Sequence, residues 1–485
     1  MKKNERNLTL LTDLYQLTMM QGYFYEENNK MAVFNVFYRE NPEKGGYAIF
    51  AGLESIIDYV KNLRFSDEDI AYLGSLGIFK KEFLEYLRTF KFTGDIWGMK
   101  EGTIVFPNEV LLKVKAPMMQ AQLVETAILN FINHQSLIAT KASRVCRAAE
   151  GDDVMEFGLR RAQGPDAGIY GARAAIIGGC GSTSNVLASK MYHTIPSGTH
   201  AHSWIMSFDS ELEAFEKYAE LYPNAAILLV DTYNTLSSGV PNAIKVFKKM
   251  RAEGKLNGRY GIRLDSGDLA YLSKEARKML DAEGFTDAII CASNDLDERL
   301  ITSLKHQGAK INSWGVGTKL ITSYDWAAFG AVYKLAEIEV DGKMVPKIKL
   351  SENTIKVTNP GNKTVFRLID KESGRFIADL IALADEEIDT SKDLTIFDPV
   401  SVWKRTTLKA NTFSVEELLY PVFSKGECVY DSPSLMDMRA YCKEQQSHIW
   451  PEVLRFENPH GYYVDLSDQL YDLKKRLMYQ YSEGK

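Results

Sequence analysis

The sequence predicts an α/β protein built around an irregular β/α barrel, and three observations carry that expectation. The middle of the chain repeats one unit, in which a short apolar run stops at a polar or glycine-rich loop and a helical periodicity follows. The loops recur at spacings of 34, 29 and 21 residues between Asp231, Asp265, Asn294 and Gly315, which suits successive strand–helix units with parallel strands. Each loop also places polar residues just after a strand, where barrels build their active sites.

The units are read in chain order. Val154-Met-Glu-Phe157 runs into Gly158-Leu-Arg160-Arg161, and Ala174-Ala-Ile-Ile177 into residues 178–185. The apolar run 225–230 meets Asp231-Thr-Tyr-Asn234, and Arg259-Tyr-Gly-Ile262 meets Arg263-Leu-Asp265-Ser-Gly-Asp268. Ala288-Ile-Ile-Cys291 precedes Ala292-Ser-Asn294-Asp295, and Lys310-Ile-Asn-Ser-Trp314 precedes Gly315-Val-Gly317-Thr318. Amphipathic stretches at 243–252 and 269–282 are long enough to be the intervening helices. Six or seven such units favour a closed barrel over an open sheet.

The ends read differently. Helical stretches at 8–23, 53–63 and 80–90 alternate with strand-like 31–38 and 94–100. Residues 335–400 carry strand and turn signals, among them Asp341-Gly342, Asn359-Pro-Gly-Asn362 and Ser373-Gly374. The expected organisation is an N-terminal α/β domain over 1–130 continued by a β-rich segment at 335–400 to make one discontinuous domain. The catalytic barrel spans 131–334, and a C-terminal region over 401–485 packs on the other domains and ends in a helix over 466–478.

Composition excludes several classes. A formal net charge of −6 argues against a nucleic-acid partner, which usually requires a basic domain. No apolar run approaches the ~20 residues of a membrane-spanning helix, and the charged first residues resemble no secretory signal, so a cytoplasmic location is expected. The five cysteines are odd in number and lack CxxC spacing, which fits reduced thiols. There is no GxxxxGK[ST] loop, no dinucleotide GxGxxG fingerprint and no GxSxG elbow. Any nucleotide must then bind at the barrel mouth.

The chemistry concentrates at 197–203, Ser-Gly-Thr-His-Ala-His-Ser. Of only seven histidines, His193, His200 and His202 fall within ten positions. Imidazole in such a loop can be a nucleophile, a base or a metal ligand, and His-x-His also fits a metal-dependent barrel hydrolase or a purely structural pair. Around the same mouth stand Arg160, Arg161, Ser182, Thr183, Asp231, Arg263, Asp265 and Asn294. Gly315-Val-Gly317-Thr318 can present backbone N–H groups and a hydroxyl to a phosphate, and equally makes a tight turn. Arg263 and Asp265 alternate, so both point one way; they could clamp an anion and hold ribose or Mg²⁺, or simply pair with each other. Phe157 with Arg160 suits a flat anionic ring, or ordinary packing.

Several long motifs, in order, carry a resemblance. They are Thr12-Asp-Leu-Tyr15-Gln-Leu-Thr-Met19, Arg39 with Gly45-Gly-Tyr47 and Ile49-Phe-Ala-Gly-Leu53, and Glu156-Phe-Gly-Leu-Arg-Arg161. Gly198-Thr-His-Ala-His-Ser203, Ile262-Arg-Leu-Asp-Ser-Gly-Asp268 and Gly315-Val-Gly-Thr-Lys319 complete the set. The chain resembles the nicotinate phosphoribosyltransferases, type II phosphoribosyltransferases, over most of its length.

That resemblance implies an ATP-coupled ligase and glycosyltransferase of NAD biosynthesis. It would form nicotinate mononucleotide and pyrophosphate from nicotinate and 5-phosphoribosyl-1-pyrophosphate (PRPP), with ATP hydrolysis coupled through a phosphohistidine at His202 and Mg²⁺ as the metal. It also implies a head-to-tail homodimer with shared sites. Asp231 would orient His202, and Asp265 would bind ribose or Mg²⁺. The pyridine ring would lie between Phe157 and Tyr15 of the partner subunit, with Thr183, Arg160 and Arg263 in the substrate site and Arg263 favoured for the carboxylate. Gly315, Gly317 and Thr318 would take the 5′-phosphate, and Arg39 would reach pyrophosphate across the dimer. A nicotinamide-using relative carries an acid near the base; Gly181-Ser-Thr-Ser-Asn185 has none, which favours the acid substrate.

Overall fold

The computed structural model describes residues 6–353 and 356–482. Its contacts gather the chain into two compact units, one of residues 1–140 with 328–485 and the other of residues 141–327.

The second unit is a curled parallel sheet wrapped by helices. Its strands are β1 (Asp153–Glu156), β2 (Ser182–Thr183), β3 (Ala225–Leu229), β4 (Arg259–Leu264), β5 (Ile289–Ser293) and β6 (Ser313–Val316). They lie in the order β2-β1-β6-β5-β4-β3, and every neighbouring pair is parallel. The helices Val240–Ala252 and Leu269–Ala282 fall where the amphipathic pattern placed them. Their apolar faces meet the sheet; Phe247, Tyr260 and Phe285, for example, pack edge-on with ring centres 5.1 to 6.0 Å apart. Two of the helix starts are fixed by a side chain from the preceding loop. Asp268 accepts from the Tyr271 N–H and Asp297 from the Leu300 N–H.

Three expectations need correction. The sheet does not close: it stops at six strands, and β2 and β3 are its edges. Where a further strand would stand, the chain at 195–203 holds Pro196 and Gly198 and makes one isolated bridge to Thr183. Ala174–Ile177 is not a strand but the end of the helix Pro165–Ile177. Proline in its first turn starts that helix, and its last seven residues are all buried, so the apolar run has no periodicity to reveal its class. Strand β6 runs two residues further than expected, so Gly315 lies inside the sheet and only Gly317 and Thr318 form the turn.

The other unit is mostly antiparallel. A seven-stranded sheet has the order Lys343–Pro346, Val332–Val340, Met31–Phe37, Leu112–Pro117, Asp95–Gly98, Tyr420–Ser424, Glu427–Cys428. Asp341 and Gly342, at φ 49° and 73°, make the two-residue turn that joins its first two strands. A four-stranded sheet pairs Lys363–Asp370 with Phe413–Glu417 and with Phe376–Leu383, which in turn pairs with Val464–Leu466. At its centre Arg367 and Asp379, both fully buried, form a bidentate pair. Among the described residues no helix is long and apolar enough to cross a membrane.

Candidate active site

The loops at the C-terminal ends of the six strands converge in the second unit. The histidine loop bridges the open edges. The Thr183 N–H donates to the Ile195 carbonyl and the Ser197 N–H to that of Thr183, which ties the loop to β2. At the other edge the His200 Nε2 accepts from the Leu229 N–H of β3 at 3.2 Å. Its ring is buried against Tyr218, with centres 4.5 Å apart. Accepting that bond requires neutral imidazole, and burial pushes the ring down to about 4. His200 is therefore a structural plug for an unpaired strand edge.

The sign of its pH effect follows. An unfolded His200 takes a proton near its ordinary 6.5 and the folded one only near 4, so the stability it gives is full above about 6.5 and is lost as pH falls between the two values. The loss is on the order of 3 kcal/mol. Thermal unfolding of wild type and His200→Gln, compared at pH 7.5 and 4.5, should show a smaller acid-induced drop in the variant, which keeps an acceptor but cannot titrate.

His202 is set up differently. It is the first residue of the helix His202–Met206, and its side chain is 40% exposed. Nδ1 lies 3.1 Å from the Thr232 Oγ1, and Nε2 lies 3.8 Å from the Asp265 Oδ2. Asp231, expected to orient this imidazole, is engaged elsewhere: its Oδ2 accepts from the Asp265 N–H at 2.8 Å and the Ser266 hydroxyl at 2.7 Å. Asp231 thus holds the backbone of Asp265, and Thr232 is the group against the ring. One residue of chain direction decides this, which the sequence does not reveal.

Arg263, on β4, is the pivot of the site. Its Nε donates to the Ser293 hydroxyl at 2.9 Å. Its Nη1 donates to the Thr199 hydroxyl and the His200 carbonyl at 2.6 and 3.2 Å, and its Nη2 to the Asp265 Oδ1 at 3.2 Å. Ser293 also donates to the Asp265 Oδ1. The alternation of Arg263 and Asp265 along one strand becomes an ion pair on one face of the sheet.

At the end of β1 a fully buried acid organises the next turn. The Glu156 Oε1 accepts from the Gly158 N–H, and Oε2 accepts from the Thr183 hydroxyl at 2.6 Å. Burial raises its pKa. Thr183, expected at the substrate, is instead fully buried; its hydroxyl also accepts from the Asn185 N–H. It braces Glu156 and the start of the helix Val186–Tyr192. Gly315 sits beneath Phe157: a Cβ there would come within 2.6 Å of the ring.

Two cavities open on this surface. The larger, about 330 Å³, lies among Phe157, Arg160, Ser184, Thr199, Ala201 and Arg263. The smaller, about 110 Å³, is lined by Arg161, Asp265, Asn294, Gly317 and Thr318 and shares Phe157, Arg160 and Arg263 with the first. Asn294 and Asp295 at its rim have φ of 87° and 32°, strain of a kind that gathers at functional loops. Arg160 and Arg161 are exposed in the turn Leu159–Arg161 and form no ion pair among the described residues.

Of the residues expected here, His202, Asp231, Asp265, Phe157, Arg160, Arg263, Gly317 and Thr318 gather in this unit. Tyr15 and Arg39 belong to the other: Tyr15 is 49% exposed on the helix Leu14–Tyr25, and the Arg39 guanidinium lies 5.3 Å from the centre of the Phe37 ring. Sequence reasoning assigned no role to Glu156, Thr199, Thr232, Ser266 or Ser293. Only Glu156 left a signal, as an acid closing an apolar strand. No three His, Cys, Asp or Glu side chains among the described residues are grouped to hold a metal ion. With His200 committed to β3, a His200/His202 metal pair has no support.

The chain matches the family models described as the nicotinate phosphoribosyltransferase (NAPRTase) N-terminal domain over residues 10–133, the NAPRTase family over 153–374 and the C-terminal domain over 362–474. It is 48% identical over 476 residues to a nicotinate phosphoribosyltransferase of Bacillus subtilis (strain 168), covering 98% of this chain and 96% of that protein. This chain belongs to the nicotinate phosphoribosyltransferase family. It is an enzyme of that class. The Homo sapiens nicotinate phosphoribosyltransferase is 32% identical over 529 residues, with 96% of each chain covered. The crystal structure of human nicotinic acid phosphoribosyltransferase superimposes with a TM-score of 0.83 at 30% identity, covering 96% of this chain and 99% of that one. A nicotinate-nucleotide pyrophosphorylase from Pyrococcus furiosus, at 24% identity and a TM-score of 0.69 over 92% and 97% of the two chains, shares the fold.

Proposed function

We propose that this enzyme transfers the phosphoribosyl group of PRPP to the ring nitrogen of nicotinate, and that ATP hydrolysis is coupled to the transfer through His202. The observation that carries the reading is the larger cavity: an aromatic ring and two guanidinium groups line it, and no carboxylate does. A flat anionic base suits that lining. The amide of nicotinamide would find no acidic acceptor for its N–H in that lining, and Glu156, at the end of β1, is already bonded to Gly158 and Thr183.

In this reading Phe157 stacks on one face of the pyridine and Tyr15 of the partner subunit on the other, in a homodimer with shared sites. Arg160 has no ion-pair partner among the described residues and takes the carboxylate, while Arg263 holds Thr199, Ser293 and Asp265 in place. Gly317 and Thr318 bind the 5′-phosphate in the smaller cavity, and Arg39 of the partner subunit reaches pyrophosphate. The ring nitrogen attacks C1′ as the bond to pyrophosphate breaks. Positive charge grows at C1′ and negative charge on the departing group, so the Asp265 carboxylate and the arginines face opposite halves of the transition state.

Thr232 accepts the Nδ1–H of His202, which leaves the lone pair on Nε2. Nε2 attacks the γ-phosphorus of ATP, the bond to ADP breaks, and water later cleaves the phosphoramidate. Asp265 lines the smaller cavity, and its Oδ2, 3.8 Å from the His202 Nε2, accepts no hydrogen bond among the described residues, so it would suit a Mg²⁺ whose other ligands are water and phosphates. When bound, that ion neutralises phosphate charge. The enzyme is expected to act in the cytoplasm with its five cysteines outside any disulfide.

Purified enzyme given PRPP and ATP should form mononucleotide from nicotinate far faster than from nicotinamide. A preference for nicotinamide would overturn the base assignment. Gly315→Ala should raise KM for nicotinate about tenfold, because its methyl group displaces the Phe157 ring, and should cost ~1–3 kcal/mol of stability; steady-state kinetics and thermal unfolding check both.

A further inference from the structure

The five cysteines look scattered in the sequence, but the fold brings two of them together. Cys146, in the last turn of the helix Glu125–Ala148, donates its S–H to Cys180, 34 positions on in the chain, with the sulfurs 3.9 Å apart. Neither is in a disulfide; Cys146 is half-buried and Cys180 fully buried. Cys180 stands in Gly178-Gly-Cys-Gly181, and Gly179 has φ +127°. A Cβ on Gly179 would lie 3.2 Å from the Cβ and Sγ of Cys146, so a glycine is what lets the two chain segments approach this closely. Glycines on both sides of Cys180 give its backbone freedom to close the remaining gap to a disulfide.

We infer that Cys146 and Cys180 are a thiol pair which a small-molecule disulfide converts to an intramolecular cross-link. The difference in exposure sets the order. The thiolate of Cys146 attacks one sulfur of the small disulfide, forming a mixed disulfide and releasing one thiolate. Cys180 then attacks the Cys146 sulfur; the S–S bond forms, the second small thiolate leaves, and it takes up the Cys180 proton. Two protein thiols and one small disulfide thus become one protein disulfide and two small thiols. Both cysteines precede their strands, Cys146 before β1 and Cys180 before β2. The cross-link therefore ties the sheet at the end away from the catalytic loops. It anchors β2, an edge strand of only two residues whose Thr183 braces Glu156.

The test is to hold the native enzyme in oxidised glutathione, alkylate it and map its peptides without reductant. The expected product is a Cys146–Cys180 linked peptide, with the chain lighter by two hydrogens. Cys180→Ser should stop at glutathione on Cys146, and Cys146→Ser should leave Cys180 reduced. The oxidised wild type should unfold at a higher temperature than the reduced enzyme, because the link restricts the unfolded chain, and keep its turnover, because the link lies at the end of the sheet away from the catalytic loops. Glutathione that stays on Cys146 of the wild type, a link from Cys146 to another cysteine, an unreacted Cys146, or an unchanged melting temperature would each overturn the inference.

Discussion

His202→Ala should take no label from γ-labelled ATP, whereas the wild-type enzyme should take an acid-labile, base-stable label. ATP-driven turnover falls with it by about 10²-fold or more, the scale expected when one catalytic group is removed. The fold survives, because the side chain is 40% exposed and its hydrogen-bonding neighbour is a hydroxyl that water can satisfy. Circular dichroism and melting temperature close to wild type would establish that. Thr232 supplies a graded control. Thr232→Val removes the Nδ1 partner and should slow labelling about tenfold, the worth of one hydrogen bond of roughly 1–1.5 kcal/mol. Thr232→Ser should restore it. Equal labelling of His202→Ala and wild type would remove His202 from its role.

Arg263→Lys has the second largest expected effect, and it strikes activity and stability together. The guanidinium is 15% exposed and spends four of its five N–H groups on Ser293, Thr199, the His200 carbonyl and Asp265. A lysine ammonium cannot reproduce that fork. Asp265 loses its charged partner, and the loop carrying His200 and His202 loses its tie to β4. The expected loss is ~2–4 kcal/mol of stability, since groups left without partners in a largely buried site cost their desolvation. A fall in kcat/KM of about 10²-fold or more should accompany it. Arg263→Ala should recover part of its activity in added guanidinium ion. Arg160→Ala is the contrasting case: its melting temperature should be unchanged and its KM for nicotinate raised, because that side chain is exposed and has no ion pair among the described residues to lose. The reverse pattern in these two variants would return the carboxylate to Arg263.

Much of this site is legible in the sequence because strand-end loops in a parallel sheet all face one way. Asp231, Arg263, Asp265 and Asn294 each follow an apolar run, so naming the runs names one face of the protein. The amphipathic helices at 243–252 and 269–282 are legible for the same reason, since one face of each is polar. The end of the helix at Ile177 is not, because its last seven residues are buried on every side and lose the periodicity that would distinguish them from a strand. Closure of the sheet is also illegible, since whether β2 meets β3 depends on twist accumulated over six strands rather than on any local pattern.

The sequence by itself determined the class of fold, the end of the sheet that carries the chemistry, and the residue types assembled there. The tertiary structure decided how those residues divide the work. His200 and His202 are near-identical in local sequence, yet one ring is buried on a strand edge and the other stands exposed beside Thr232 and Asp265. Thr183 and Asp231 kept their places and changed their partners, to Glu156 and to the backbone of Asp265. The physical reason is range: periodicity and turn chemistry act over a few residues, whereas burial and hydrogen-bond partners are fixed by segments 27 to 64 residues apart that meet only in the folded chain.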